Sequence, residues 1–533
     1  MTPAPASGGH AVARNTAIFS LATGFSRVAG LAREITAASF FGTTGPASAF
    51  TIAFQIPQLL SGLFAQTALS SAFIPVFTDL LHRGRRREAF RLASTLLWTM
   101  VLVIGGITVL LILTAGLIMP LFIGSTFNAA LTSLTVGLSQ VMFPVVLLLS
   151  VTGLVVGILQ SNQRFTIPAF APVVWNLVIL LFMIVLRHKF HGGNQLYAYA
   201  IGVLVATVVQ LAMALAALRR IDFHFQLTLD WRDPRVRRVL ALMLPVTLSV
   251  GILNFDLLIN SSLGTLVSRQ APRAIDAAFR LYSLPQGMFS VAVATVLFPT
   301  LSLMAARGDI PAIRRTLGSG MRQILLLLIP AAALMLVLAT PIVRLIYQRG
   351  HFTTHSTHLT SVALFWFACN LPFAGVNLLL TRMFFAAQQP WVPTVLSAVN
   401  IAVDVVVSLL LYKPLGITGL VVGTLAAQVV MLGMQLQQLR ARFGRLDAIQ
   451  TVRITARIAL ASALLAGVAW GVWRLLEGVL GSSLLAQILS VGSAIAAGVS
   501  IYAAAVLVMR VPEAHQIRRF FTRRRPAEPV GEV

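Results

Sequence analysis

Residues 96–122 read LLWTMVLVIGGITVLLILTAGLIMPLF and contain no charged side chain. A helix of about 20 apolar residues is long enough to cross the roughly 30 Å hydrocarbon core of a bilayer. Comparable runs recur along almost all of the 533 residues, of which 57% are hydrophobic and 10% are charged. A soluble domain carries about 25% charged residues. The composition therefore predicts an all-α polytopic membrane protein without a folded soluble domain.

The apolar runs predict about fourteen transmembrane helices. Similar features recur at a nearly constant interval: Pro75 and Pro299 end the second and eighth segments, and Asn176 and Asn400 lie inside the fifth and eleventh. This repeat predicts two six-helix lobes in parallel orientation, as in transporters that rock two halves about a central site. The predicted segments are 15–40, 47–80, 91–122, 130–160, 166–187, 196–219, 237–268, 272–305, 313–347, 356–387, 391–412, 415–440, 455–476 and 483–509.

The last two predicted helices have no counterpart in the repeat. They are strongly apolar, so they either pack at the periphery or form a lipid-facing groove for a long hydrophobic tail. The predicted organisation has five parts: a cytoplasmic N-terminal tail (1–14), an N-lobe (15–235), a C-lobe (236–446), the groove-forming helices (447–509) and a basic cytoplasmic tail (510–533).

The basic residues predict the topology. They cluster in loops after even-numbered segments, such as residues 83–91, and in the C-terminal tail, whereas the opposite loops hold few, among them Arg269 and Arg273. The positive-inside rule then places both termini in the cytoplasm. The net charge of +25 reflects this topology and contact with anionic lipids, not nucleic acid. A single cysteine, Cys369, excludes an internal disulfide and a cysteine-based zinc site.

Three arginines lie inside predicted apolar segments: Arg27 and Arg33 in the first, and Arg280 in the eighth. A guanidinium stays charged, and placing it at membrane depth costs at least ~2.5–3.5 kcal/mol on insertion scales. The three therefore predict a polar cavity that receives an anionic substrate, and their planar donor forks suit a diphosphate. Glu34 can neutralise one charge, whereas no acid adjoins Arg280. The alternative for Arg27 and Arg33 is that both extend from a helix end to the membrane surface.

Glu34, Asp256 and Asp404 are the acids expected at membrane depth. Asn400 and Asp404 are four residues apart, so on a helix their oxygens face the same side. A carboxylate with neutral oxygens can bind a small hard cation; the alternative is a hydrogen-bonded pair that joins two helices. The chain has no phosphate-binding glycine-rich lysine motif and no nucleophile–base set, so we expect a transporter and not an enzyme.

Several short motifs occur in order along the chain. They are Ser26-Arg27 with Gly30-Leu31-Ala32-Arg33, Phe41-Gly42, Ala53-Phe54-x-x-Pro57, Ala72-Phe73-Ile74-Pro75, Asn162-Gln163-Arg164-Phe165-x-Ile167-Pro168, Gln348-Arg349-Gly350-x-Phe352 and the Arg280 segment. Together, over about residues 15–510, they resemble the MurJ/MviN lipid II flippase family of the multidrug/oligosaccharidyl-lipid/polysaccharide exporter superfamily.

The resemblance implies a flippase that catalyses no covalent chemistry. Such a protein moves lipid II, the undecaprenyl-diphosphate-linked peptidoglycan precursor, from the inner to the outer leaflet of the bacterial cytoplasmic membrane by alternating access. The implied partners are lipid II and membrane lipids, with cell-wall synthesis proteins as further candidates. The residues implied to bind the diphosphate and head group are Arg27, Arg33, Arg280, Ser26, Glu34 and Asn176.

The resemblance also implies a site for a monovalent cation. Asn400 and Asp404 match it, Thr424 is the expected third ligand, and Asp256 is included as a neighbouring acid. Na⁺ is the candidate coupling ion, and no other cofactor is expected.

Three positions depart from the family pattern. Ser48 and Phe279 stand where many members carry an acid, and Ser61 stands where many carry an arginine. The cavity would then hold less charge, so three alternatives stay open. One is a flippase for another polyprenyl-linked glycan, and another is a cation-coupled drug antiporter of the same fold that relies on Asp256 and Asp404. The third is a non-transporting scaffold for wall synthesis that acts through its basic loops.

Overall fold

The computed structural model describes residues 7–61, 68–162, 164–221, 223, 225–389, 391–444 and 448–513, with the backbone alone for 7–20, 61, 68–72, 242–254, 256 and 448. All regular secondary structure in these residues is helical. The helices are α1 (Ser7–Phe41), α2 (Gly45–Ser61), α3 (Ala68–His82), α4 (Arg86–Ile118), α5 (Ala129–Met142), α6 (Pro144–Ser161), α7 (Thr166–Leu186), α8 (Leu196–Leu218), α9 (Pro234–Val267), α10 (Ala271–Pro285), α11 (Val291–Arg307), α12 (Ile310–Val337), α13 (Ala339–Tyr347), α14 (Thr354–Ala386), α15 (Trp391–Leu415), α16 (Ile417–Phe443), α17 (Ala448–Leu480) and α18 (Leu484–Val508).

The helices confirm an all-α polytopic membrane protein. Within the described chain, 11 spans are long and apolar enough to cross a membrane by length and composition. Each predicted segment coincides with one helix or with two consecutive helices. The total of fourteen crossings stays a prediction.

Three predicted segments are interrupted within the described residues; a fourth, 47–80, contains α2 and α3, and the residues between these helices lie outside the described chain. Segment 130–160 divides where α5 ends at Met142 and α6 begins at Pro144, because a proline can begin a helix but lacks the N–H needed to continue one. Segment 272–305 contains a π-helical turn, Gln286–Ser290, between α10 and α11. Segment 313–347 divides at Leu338 into α12 and α13. Apolar content does not reveal such breaks, because the residues on both sides are equally hydrophobic.

Hydroxyl side chains inside the helices bond to their own backbone. Thr135 donates to the carbonyl of Leu131, and Ser150 donates to the carbonyl of Val146, both at 2.7 Å. Such bonds to the carbonyl four residues earlier satisfy a hydroxyl without water. The helices can therefore carry serine and threonine at membrane depth.

The first compact unit comprises residues 1–274 and 347–356. One apolar core joins α1, α2, α5, α7 and α8, and a second joins α3, α4, α6, α8 and α9. In the first core the ring of Phe50 stacks on Tyr199 with centroids 4.2 Å apart. The segment 347–356 lies within this unit although α13 and α14, on either side of it, lie in the other.

Two glycines allow the segment 347–356 to contact the end of α1. The N–H of His351 donates to the carbonyl of Ser39 at 2.8 Å. A Cβ on Gly42 would lie 2.3 Å from the carbonyl oxygen of His351, and one on Gly350 would lie 2.4 Å from that of Ser39. Both glycines also have positive φ, 57° and 56°. This contact explains why both motifs, the one around Gly42 and the one around Gly350, contain a glycine: the two segments pack against each other there.

The second compact unit comprises residues 275–346 and 357–533. Here α15 packs on α16, and α17 packs on α18 and α12. The hydroxyl of Tyr502 on α18 donates to the carbonyl of Leu326 on α12 at 2.6 Å. An ion pair joins Arg344 of α13 to Glu477 of α17. The last two helices are thus packed against α12, while a role as a lipid groove stays a prediction.

Helix α9 begins at Pro234, next to the predicted lobe boundary at residue 236, and that boundary stays a prediction. Helix α9 belongs to the first unit, because it packs on α2 and α3. Gln55 of α2 donates to Ser261 of α9 at 2.6 Å, and the N–H of Gly124 donates to the hydroxyl of Thr265 at 2.5 Å. The internal repeat that defined the lobes stays a prediction.

Candidate substrate and cation sites

Asn176 connects α7 to the part of α1 that carries Ser26 and Arg27. Its Nδ2 donates to the carbonyl of Pro172 at 2.9 Å and, more weakly, to that of Ser26 at 3.5 Å. The absence of a side chain at Gly30 leaves room beside Asn176. Arg27 is exposed and forms no ion pair with any residue that the structure describes. Asn176 therefore supports α1, and Arg27 is accessible to a ligand.

Arg33 and Glu34 belong to a buried ionic cluster. Arg33 Nη2 donates to Glu34 Oε1 at 2.9 Å, and Arg273 Nη2 donates to Glu34 Oε2 at 3.2 Å. The hydroxyl of Tyr199 approaches Glu34 Oε1 at 3.4 Å, and the ring of Trp175 lies 5.1 Å from Arg33 Cζ. Arg33, Glu34 and Arg273 are only 7%, 5% and 5% exposed. We call these three residues the arginine–glutamate cluster.

The arginine–glutamate cluster places two guanidinium groups around one carboxylate, that of Glu34. Arg33 Nε is buried and donates to no acceptor among the described residues. Because a buried donor without an acceptor is unfavourable, Arg33 Nε favours a further acceptor such as an anion.

Arg273 corrects one expectation. The charge count assigns it to an external loop although the predicted segment 272–305 contains it; in the structure it is the third residue of α10 and is buried. Its N–H donates to the hydroxyl of Ser48 at 3.3 Å, which satisfies one of the first N–H groups of the helix. Pro272, a residue type common in the first turn of helices, was the signal that α10 begins before Arg273. Ser48, where many family members carry an acid, thus contributes a neutral acceptor here.

Arg280 lies in the second unit and has an acidic partner. Arg280 Nε donates to Asp276 Oδ2 at 2.9 Å, so the expectation that no acid adjoins Arg280 is wrong. Asp276 is one helical turn earlier, a spacing that brings two side chains together. The Arg280 side chain is 29% exposed, so it remains partly accessible. Phe279 instead packs with Tyr282 and Phe367, at centroid distances of 5.6 and 5.9 Å.

The predicted cation ligands on α15 and α16 lie in one polar cluster. Asp404 is fully buried, and its Oδ1 accepts from Ser408 at 3.1 Å and from Thr424 at 3.5 Å. Asn400 is one turn before Asp404 and is also buried. A Cβ on Gly423 would lie 2.2 Å from Ser408 Oγ, so the helices pack closely here. Sequence reasoning missed Ser408, although it is one turn after Asp404.

The donor set of this cluster fits a monovalent cation. It offers one carboxylate with neutral oxygens, and Asn400 Oδ1 is buried with no hydrogen-bond donor among the described residues. The described residues contain no group of three or more His, Cys, Asp or Glu side chains that could hold a metal. Asp256 lies on α9 in the first unit, and its side chain, like that of Ser61, lies outside the described side chains.

Comparison with known proteins decides the family. A family model described as lipid II flippase MurJ matches residues 37–490, most of the chain. The chain belongs to the lipid II flippase MurJ family. A relative from Rhizobium meliloti (strain 1021), described as a probable lipid II flippase MurJ, is 30% identical over 523 residues that cover 95% of each chain. The match to the MurJ model begins after Arg27, Arg33 and Glu34, so their assignment depends on the geometry above and on the resemblance.

Solved structures support the same fold. A lipid II flippase MurJ in an inward closed conformation is 22% identical, with a TM-score of 0.77 over 92% of this chain and 98% of that chain. An inward-facing multidrug resistance MATE family transporter of the MOP superfamily is 13% identical, with a TM-score of 0.67 over 79% of this chain and 96% of that chain. The MurJ family fold is thus shared with transporters of the wider superfamily.

Proposed function

We propose that this chain translocates lipid II from the inner to the outer leaflet of the bacterial cytoplasmic membrane by alternating access. The observation that carries the proposal is the buried guanidinium of Arg33, whose Nε has no acceptor among the described residues, in a member of the lipid II flippase MurJ family. A lipid-linked diphosphate supplies an anion that can accept from such a donor.

The arginines differ in how far their charge is already compensated. Arg27 forms no ion pair with a described residue, so it is suited to the first contact with the diphosphate. Arg33 shares Glu34 with Arg273, and Arg280 is paired with Asp276. This partial compensation suits a transporter, because a transported group must bind strongly enough to enter and weakly enough to leave.

An apolar cavity in the second unit supports binding of the lipid tail. It has a volume of about 430 Å³ between α12, α14, α16 and α17, and its walls include Ile329, Phe373, Leu436 and Val452. Arg440 lies at its border. Such a cavity can accommodate part of a polyprenyl chain while the diphosphate is bound elsewhere. The proposed tail site thus includes α17, one of the two helices predicted to form a groove, but not α18.

The orientation of the chain follows from its basic loops. Both termini then lie in the cytoplasm, where the loops can meet anionic lipids and wall-synthesis proteins. A membrane potential that is negative inside favours outward movement of an anion by about 2.3 kcal/mol per charge at 100 mV. The potential can therefore assist translocation of the diphosphate without any covalent step.

The arginine variants test the proposal. We expect Arg33→Ala and Arg280→Ala each to abolish lipid II translocation, because each removes a charge-assisted donor to the diphosphate. The measurement is growth of a host depleted of its own lipid II flippase, with membrane insertion checked by immunoblot. Arg307→Ala is the matched control, because Arg307 is exposed at the end of α11 and should be dispensable. Normal growth supported by Arg280→Ala would overturn the proposed role.

Na⁺ as a coupling ion would bind at Asn400, Asp404 and Thr424, where its charge would balance the carboxylate. We expect Na⁺, but not K⁺, to raise the melting temperature of the purified protein, and Asp404→Asn to remove this shift. Asp309→Asn is the control, because Asp309 is an exposed N-cap of α12 and asparagine caps a helix equally well. A Na⁺ shift that persists in Asp404→Asn would place the ion elsewhere.

A second candidate function is cation-coupled export of drugs. The likeness to a MATE family transporter and the buried carboxylate of Asp404 favour it. An exporter of cationic drugs would tolerate Arg33→Ala and lose activity with Asp404→Asn. A drug-efflux assay on these two variants separates the candidates.

A further inference from the structure

The segment 225–231, which joins α8 to α9, alternates between apolar and polar side chains. Its four apolar side chains are exposed, and Leu227 is 87% exposed. The polar side chains between them are partly buried. The segment therefore presents one apolar face away from the protein, and the indole N–H of Trp231 at its end also donates to the hydroxyl of Thr99 on α4 at 2.9 Å. We call this apolar face the linker face; it consists of Phe225, Leu227, Leu229 and Trp231.

The opposite side of the segment is hydrogen-bonded to α4. The N–H of Gln226 donates to the hydroxyl of Ser94 at 3.0 Å, and the indole of Trp98 donates to the carbonyl of Gln226 at 3.1 Å. Arg91 Nη2 donates to Asp230 Oδ2 at 3.0 Å. Non-helical backbone at membrane depth is tolerated only where protein or water satisfies its polar groups. Side chains of α4 do so here.

The position of these contacts along α4 gives the depth of the linker face. Trp98 lies about 18 Å along the helix from Arg86, at 1.5 Å per residue. Beyond Trp98 the outer side of α4 is apolar and exposed, as at Leu102, Leu110 and Leu113. Ile118 is the last residue of α4. A hydrocarbon core of about 30 Å that begins at Ile118 would end near Trp98, about 20 residues earlier. The linker face therefore lies at the cytoplasmic edge of the hydrocarbon core, where tryptophan is enriched.

Basic residues flank the linker face on both sides. Two arginines at the end of α8 and three around the start of α9 are exposed, and anionic lipid phosphates attract such groups. A separate ion pair between Arg235 and Glu88 holds the start of α9 to α4. Burial raises the pKa of Asp233, but hydrogen bonds from Arg235 outweigh it and hold this pKa below its ordinary value. The exposed arginines are Arg219, Arg220, Arg232, Arg237 and Arg238.

We propose that the linker face inserts into the cytoplasmic leaflet and that its flanking arginines bind the phosphates of anionic glycerophospholipids there. The apolar side chains match the hydrocarbon edge, and the arginines match the charge of the head groups. The anionic lipids of this leaflet then bind directly to the segment that joins α8 to α9. This goes beyond the proposed translocation, and its tests do not depend on transport activity.

Spin-label depth measurements test insertion. The variants Leu227→Cys and Thr228→Cys are made in a Cys369→Ala background, labelled, and reconstituted in vesicles of phosphatidylglycerol and phosphatidylethanolamine. We expect the label at 227 to relax at least five-fold more with oxygen than with a water-soluble nickel chelate. The label at 228, which faces α4, should be shielded from both reagents. A label at 227 that relaxes mainly with the chelate would overturn insertion, and one shielded from both would indicate a covering protein or second copy.

Lipid-dependent melting tests the choice of lipid. We expect phosphatidylglycerol to raise the melting temperature of the purified protein more than phosphatidylcholine does, and the double variant Arg219→Gln/Arg220→Gln to lose at least half of that difference. Arg187→Gln/Lys189→Gln is the matched control, because this pair lies on the predicted opposite side of the membrane. Equal lipid dependence in the two double variants would overturn the role of the flanking arginines.

Discussion

Glu34 is shared by two arginines that are far apart in the sequence. Arg33 is its neighbour, whereas Arg273 reaches it from α10. The adjacent pair could be read directly from the sequence. The second partner could not, because local spacing says nothing about which distant helix packs beside α1. The arrangement of two guanidinium groups around one carboxylate is therefore visible only in the folded chain.

Because Glu34 has two arginine partners, the loss of Glu34 and the loss of Arg273 should change the free energy of unfolding by different amounts. Removing one partner of a buried ion pair typically costs about 3–5 kcal/mol. Glu34→Gln removes one carboxylate from two guanidinium groups, whereas Arg273→Gln leaves the Glu34 carboxylate bonded to Arg33. We therefore expect Glu34→Gln to lower the free energy of unfolding more than Arg273→Gln does, and the double variant to cost less than the sum. Denaturation of the detergent-solubilised protein measures all three, and strictly additive losses would contradict the coupling.

At the scale of elements, the contact between α1 and the segment 347–356 depends on the backbone. Gly42 and Gly350 bring two chain segments within hydrogen-bond distance, and a side chain at either position would meet a carbonyl oxygen. A short glycine-containing motif can thus reflect close packing between remote segments. The sequence indicated that both motifs matter, but not that they touch.

A comparison of two glycines with positive φ distinguishes the cost of backbone strain from the cost of close packing. Forcing an alanine into the left-handed region costs about 1–2 kcal/mol, and this cost applies to Gly42→Ala and Gly84→Ala alike, since their φ angles are 57° and 73°. Only Gly42 also has a carbonyl within 2.3 Å of the added Cβ; Gly84 has nothing within 4 Å. We expect the larger fall in melting temperature for Gly42→Ala. Equal falls would show that the contact with His351 adds nothing.

For the whole molecule, hydrophobicity and charge predicted the helices but not the places where the helices are interrupted. The long apolar runs predicted the helices, because about 20 such residues have few other stable environments. The same signal does not reveal the boundary at Pro144 or the burial of Arg273, since a residue count cannot distinguish a loop charge from a buried charge in a first helical turn. Asp276 differs, because its spacing of four residues from Arg280 predicts a contact on a helix although the two are not neighbours in the sequence.

The same charge pattern predicts the topology of the whole chain, and this prediction can be tested directly. In a Cys369→Ala background, we expect a membrane-impermeant maleimide to label Lys189→Cys on intact cells lacking an outer-membrane barrier. Arg83→Cys should react only after the cells are opened, because the basic loop that contains it is predicted to be cytoplasmic. Both positions are exposed, which makes them a matched pair. Labelling of Arg83→Cys on intact cells would invert the orientation.

The π-helical turn between α10 and α11 has a consequence for sequence comparison. It accommodates one residue more than a regular helix would, and one residue corresponds to a rotation of about 100°. Deleting a single residue from Gln286–Ser290 would therefore convert the π turn into a regular turn, with the side chains of α11 facing nearly as before relative to Arg280. The same deletion inside α11 would rotate every later side chain by about 100°. A one-residue gap is thus compatible with unchanged helical faces at this position, but not a few residues further along.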